Sequence, residues 1–82
     1  MTTEAFTNEV ERIIDDARNK GKDYVVINSG DVHRAVGGYP GKSTRMPSCC
    51  NAMYKLMKTK DEVLDAPPSG MGASLTIKYY LK

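Results

Sequence analysis

Apolar side chains recur at helical spacing through residues 3–20, where Phe6, Val10, Ile13, Ile14 and Ala17 fall on one side of a helix. Glu4 in the first turn suits the positive end of the helix dipole, and Asn19-Lys20-Gly21 is a stop, with Gly21 able to adopt the left-handed conformation past the last turn. The period then changes. Tyr24-Val25-Val26-Ile27 is a short β-branched run that predicts a strand. Asn28-Ser29 ends it, and Ser29 is the expected N-cap of a brief helix over 30–36, with Asp31 in its first turn. Val32, Ala35 and Val36 would face inward, His33 and Arg34 outward, and Gly37-Gly38 would terminate the helix. Tyr39-Pro40-Gly41-Lys42 carries Pro then Gly at the central positions of a type II turn.

The next helical stretch organises the chain. In TRMPSCCNAMYKLMKTK, residues 44–60, Cys50, Met53 and Met57 form an apolar stripe with Cys49 and Leu56 beside it. The opposite stripe is Ser48, Asn51, Ala52 and Lys55, flanked by Arg45 and Lys58. Pro47 suits the first turn, where a missing N–H costs nothing; Thr44 and Met46 compete for the N-cap. Residues 63–66 then predict a strand, 67–73 a Pro/Gly-rich loop, and 74–81 a strand that alternates cleanly. Leu75, Ile77, Tyr79 and Leu81 share one face of that strand, and Thr76, Lys78 and Tyr80 the other. Two strands joined by such a loop predict a hairpin with a flexible tip.

Composition narrows the class. The 82 residues are 40% apolar and 27% charged, which places them with ordinary globular proteins and suits one small domain over 1–82. No apolar run is long enough to span a bilayer and the start shows no targeting pattern, so no membrane association and a cytoplasmic address are expected. The net charge of +2 conceals a segregation. Residues 32–60 hold Arg34, Lys42, Arg45, Lys55, Lys58 and Lys60 and no acid, whereas the flanking segments are net acidic. Such a segment is the usual electrostatic footprint of a surface that meets a polyanion.

Candidate catalytic chemistry is thin. Cys49 and Cys50 are adjacent, which on a helix separates their directions by about 100° and disfavours a mutual disulfide. With only His33 as a nitrogen donor no zinc spacing exists, so no metal or cofactor is expected and the cysteines read as reduced thiols packed as small hydrophobes. A Cys–His pair using a thiol near a helix N-terminus is the one nucleophilic arrangement available, and no third residue orients His33. Phosphate-binding glycine motifs are absent as well. No catalytic residue is assigned, and an enzyme is not the expectation.

Nucleic acid suits the residue types better. Arg34, Lys42, Lys55 and Lys58 are candidates for phosphate contact and Arg45, Ser48 and Asn51 for base edges, Lys55 suiting either, and Thr44 joins them as a DNA-binding candidate. Asparagine can pair bidentately with adenine and arginine with guanine. Tyr39 and Tyr54 are expected to pack at the helix junction, Tyr79 in the core and Tyr80 on the outer face.

The order helix, strand, helix, helix, strand, loop, strand resembles the winged helix-turn-helix fold over nearly the whole chain, an α+β class with three helices and a small antiparallel sheet. The resemblance implies a positioning helix at 30–36, a recognition helix at 47–58 and a wing at 67–73, with the early strand pairing onto the closing hairpin. It implies double-stranded DNA as partner, bound through the helix 47–58 in the major groove. Two features depart from the pattern: the connection over 37–46 is long for the motif, and the wing carries no Arg or Lys. The string VHRAVGGYPGKSTRMPSCCNAMY is also similar to a segment of short uncharacterised bacterial and phage proteins, sometimes found beside restriction-type endonuclease modules. That similarity implies a DNA-facing role in phage or mobile-element biology. The alternative function, which the modest net charge, the uncharged wing and the exposed candidates Tyr80 and Met71 favour, is a winged-helix protein-interaction module in a restriction or anti-defence assembly.

Overall fold

A computed structural model describes residues 3–37 and 45–81. Helix α1 (Thr3–Asn19) leads into strand β1 (Tyr24–Asn28), helix α2 (Ser29–Val36), helix α3 (Met46–Lys55) and strands β2 (Glu62–Asp65) and β3 (Thr76–Tyr80). The fold is α+β, with three helices and an open three-stranded antiparallel sheet in the order β1-β3-β2. β3 is central, pairing Tyr24↔Tyr80 through Asn28↔Thr76 on one side and Glu62↔Lys78 on the other, with a bulge between Val63 and Asp65.

The core lies between one sheet face and the helices. Phe6 and Val10 of α1, Ile27 of β1, Val32 of α2, Met53 of α3, and Leu75, Ile77 and Tyr79 of the closing segment are all buried. Burying each large apolar side chain stabilises the fold by about 1.5–3 kcal/mol. Tyr79 carries a hydroxyl into this core and donates it to the Met53 carbonyl at 2.7 Å, which joins β3 to α3.

Local chemistry explains the ends of α1 and α2. Gly21 has φ of +75°, with its N–H donating to the Arg18 carbonyl at 3.0 Å and that of Lys22 to the Ala17 carbonyl at 3.1 Å, the paired bonds of a Schellman cap. The α2 cap lies one residue before the expected Ser29. Asn28 is extended (φ −104°, ψ 136°), and its Oδ1 accepts the Asp31 N–H at 3.1 Å. Its Nδ2 also donates to the Ala73 carbonyl at 3.0 Å and to Thr76 Oγ1 at 3.2 Å. Ser29 is buried instead, with its hydroxyl on the Gly72 carbonyl at 2.6 Å and its N–H on Leu75 O at 2.8 Å. Gly30 is tightly seated, since a Cβ would stand 3.0 Å from Asn28 Oδ1 and 3.2 Å from Ala73 O and these neighbours would have to give by a few tenths of an ångström. The β1–α2 junction is thus stitched to the segment that feeds β3.

Several expectations are corrected. Ala35 is exposed, not inward. α3 ends at Lys55 and is capped by Leu56, so Lys58 lies beyond the helix. Its N-cap is Arg45, which makes no side-chain capping bond. The expected turn at Tyr39-Pro40-Gly41-Lys42 and the competing cap Thr44 lie outside the described residues. No helix among the described residues is long and apolar enough to cross a membrane.

Candidate nucleic-acid interface

α3 is two-faced because its apolar positions recur once per turn. Met46, Cys49, Cys50 and Met53 form the buried face, and Ala52 joins them with no exposed surface. The placement of Ala52 corrects the sequence reading, which set it on the polar stripe. Its methyl group continues the core beside Met53, so the outer face is narrower than the periodicity alone suggests.

Arg45, Asn51 and Lys55 are exposed and Ser48 is half-buried, and their spacing by three or four residues places them along one side of the helix. Arg45 stands at the helix start, where a cation is disfavoured by the dipole unless an anion approaches. Lys58 is exposed in the following turn, where its N–H donates to Asp61 Oδ2 at 2.8 Å. Arg34 is exposed on α2 and bonds Asp31 through a guanidinium nitrogen at 2.9 Å. That pair is solvated on both sides and so contributes little stability. Lys42 and Thr44 lie outside the described residues. The structure therefore brings Arg45, Ser48, Asn51 and Lys55 together on α3 and sets Arg34 and Lys58 on neighbouring elements.

His33 departs most from the sequence reading. It is fully buried, not at the surface, with its ring centroid 4.8 Å from that of Phe6 at an interplanar angle of 58°. Nε2 accepts the Arg45 backbone N–H at 2.8 Å. A side chain of α2 thereby takes one of the donors that a helix N-terminus leaves without an intrahelical partner, in place of a capping side chain. It joins the two helices across the segment 38–44. The signal in sequence was weak: a histidine one position after Val32 on a short helix reads as an outward polar residue.

The loop over 66–75 is also tied down, against the expectation of a flexible tip. Tyr54 donates its hydroxyl to the Gly70 carbonyl at 2.7 Å, and the Gly72 carbonyl receives Ser29 Oγ and Cys50 Sγ, the latter at 3.4 Å. The Gly70 N–H is taken by Pro67 O at 2.8 Å and that of Met71 by Ser69 Oγ at 3.3 Å. The Gly70 and Met71 N–H groups and the Ser69 hydroxyl are thus engaged within the loop. Its tip residues Pro67-Pro68-Ser69-Gly70-Met71-Gly72-Ala73 supply no charge either.

The two thiols are free and buried. Burial, reinforced by the neighbouring Cys50, pushes the Cys49 thiol up to about 12, opposite to the lowered value that a nucleophile near a helix N-terminus would need. Cys49 Sγ instead donates to the Ser29 carbonyl at 3.5 Å, one more contact between α3 and the start of α2. Burial, with smaller contributions from Asp61 and Cys49, likewise raises the Tyr79 phenol above its ordinary value. No family model matches the chain, and comparisons with curated proteins and with solved structures find no match either.

Proposed function

We propose that the chain is a winged-helix protein that binds double-stranded DNA with α3 in the major groove. One observation carries the reading: α3 buries its whole apolar face and turns Arg45, Ser48, Asn51 and Lys55, with no acid among them, toward solvent. The element order, with β1 paired to the strand that closes the β2–β3 hairpin, supports it as the arrangement the resemblance implies. In this reading α2 positions α3 through His33, Asn51 and Arg45 meet base edges, and Lys55, Lys58 and Arg34 meet phosphates. The loop 66–75 braces α3 and makes no phosphate contact of its own. Transcriptional regulation and phage or mobile-element biology are the settings that suit such a protein.

The test is duplex binding measured by fluorescence anisotropy across a salt series. Lys55→Ala should weaken all sequences alike and reduce the salt slope by about one, whereas Asn51→Ala should relax discrimination at one base pair by roughly 1–3 kcal/mol. No binding to any duplex at low salt refutes the proposal. A second reading is favoured by the exposure of Tyr24, Val26, Val63 and Leu64 on the sheet, about half accessible in each case. It makes the domain a protein-interaction module in a restriction or anti-defence assembly. A stoichiometric protein complex that buries these four residues would select it.

A further inference from the structure

The cations of the chain meet at a second place, at the end of the molecule where α1 finishes. Arg18 from the last turn of α1 and Lys58 and Lys60 from the turn after α3 line one cleft of about 340 Å³, with Thr59, Asp61, Tyr80 and Leu81 completing its wall. That volume is at the lower end of the range for small-ligand sites. These residues are about 40 positions apart in sequence, and α1, with its acidic outer face, reads as support when taken alone.

The turn is rigidly held. Asp61 donates its N–H to the Lys58 carbonyl at 3.0 Å. Its carboxylate accepts the N–H of Lys58 on one oxygen and that of Tyr80 on the other, both at 2.8 Å. Among the described residues Asp61 is the one acid in the cleft wall, each of its oxygens accepts a backbone N–H, and it fixes the turn onto β3. Among the described residues neither Lys58 nor Lys60 is ion-paired. Arg18 spends one nitrogen on Asp15 at 2.9 Å, and its fork carries further donors. Past Arg18 the groove runs on along α1 over Ile14 and Leu56 toward Asp15 and Glu11, so the positive charge is confined to the Lys58–Asp61 end.

We propose that this cleft binds a phosphoryl group, held by Arg18, Lys58 and Lys60 against Tyr80. A guanidinium from α1 and two ammonium groups from the 58–61 turn suit the three acceptor oxygens of a phosphate. The site is open to solvent, so binding is weak and salt-sensitive, with a dissociation constant on the order of 1 mM for a lone phosphate. It shares Lys58 with the DNA reading but does not rest on it, since Arg45, Asn51 and Lys55 take no part in it. The group can belong to a small phosphate monoester or to a polynucleotide backbone.

The experiment is a titration of the isotope-labelled chain, followed by amide and Arg side-chain resonances, with inorganic phosphate, phenyl phosphate and a short duplex in separate arms. Saturable shifts should appear at Arg18, Thr59, Lys60, Tyr80 and Leu81. Arg18→Gln and Lys60→Gln should each weaken binding about threefold, while Lys20→Gln and Lys22→Gln leave it unchanged. Tighter binding of phenyl phosphate than of the duplex identifies a small-molecule source, and tighter duplex binding that Arg18→Gln weakens identifies a nucleic-acid backbone. In the inorganic phosphate and phenyl phosphate arms, shifts that do not saturate, that spread over Lys20, Lys22 and Lys55, or that persist unchanged in Arg18→Gln and Lys60→Gln overturn the proposal.

Discussion

Replacing His33 by alanine removes a side chain with no exposed surface that packs on Phe6 and accepts the Arg45 N–H at 2.8 Å. Two contributions add. Truncating a buried ring of this size leaves a cavity worth about 2–4 kcal/mol. Losing the acceptor costs about 1 kcal/mol, at the low end of the range because exposed Arg45 allows water to reach the freed N–H. The sum, about 3–5 kcal/mol, is a large share of the ~4–12 kcal/mol expected for a chain of this length. Urea unfolding followed by circular dichroism should therefore show a much lower midpoint at unchanged slope. His33→Phe separates the contributions: it restores ring volume without an acceptor and should cost only about 1 kcal/mol, with faster hydrogen exchange at the Arg45 amide. His33→Ala within about 0.5 kcal/mol of the parent would refute the placement of this ring in the core.

Two further outcomes follow from the geometry. Asn28→Ala removes the α2 cap together with the bonds to Ala73 O and Thr76 Oγ1, and should cost about 2 kcal/mol by chemical denaturation, against less than 0.5 kcal/mol for exposed Asn51→Ala. Cys49 and Tyr79 are both held neutral by the fold, so the unfolded chain loses these protons first as pH rises. Stability should be intact below about pH 9 and decline above it, with Cys49 contributing up to about 1.4 kcal/mol per pH unit until its folded value near 12. Denaturation at a series of alkaline pH values checks this, and Cys49→Ala should flatten the first part of the decline.

Several features carried by close neighbours in the chain are legible in the sequence. The stop at Gly21, the β-branched strand and the alternation through Ile77 and Tyr79 depend on neighbours within a few residues, because helix and strand periods and caps are short-range properties. The same holds for the thiols of Cys49 and Cys50, which the helical period already set toward the core. Boundaries were less legible. α3 stops at Lys55 where the basic run continues to Lys60, since the Asp61 carboxylate gathers residues 58–61 into a turn that no helical pattern announces.

The sequence by itself determined the order of the elements, the two faces of the helix after Pro47 and the concentration of positive charge over 32–60. These follow from periodicity, turn chemistry and composition, each carried by residues close together in the chain. Tertiary structure alone decided what side chains do when their partners are distant. It buried His33 between Phe6 and Arg45, moved the α2 cap to Asn28 and set Ser29 on Gly72, because acceptors and donors from segments 12 to 48 residues away happened to converge there. It also withdrew Ala52 from the outer face and brought Arg18 beside Lys58 and Lys60. A periodic pattern says which side of a helix is apolar, but only packing says what that side meets and how wide the remaining surface is.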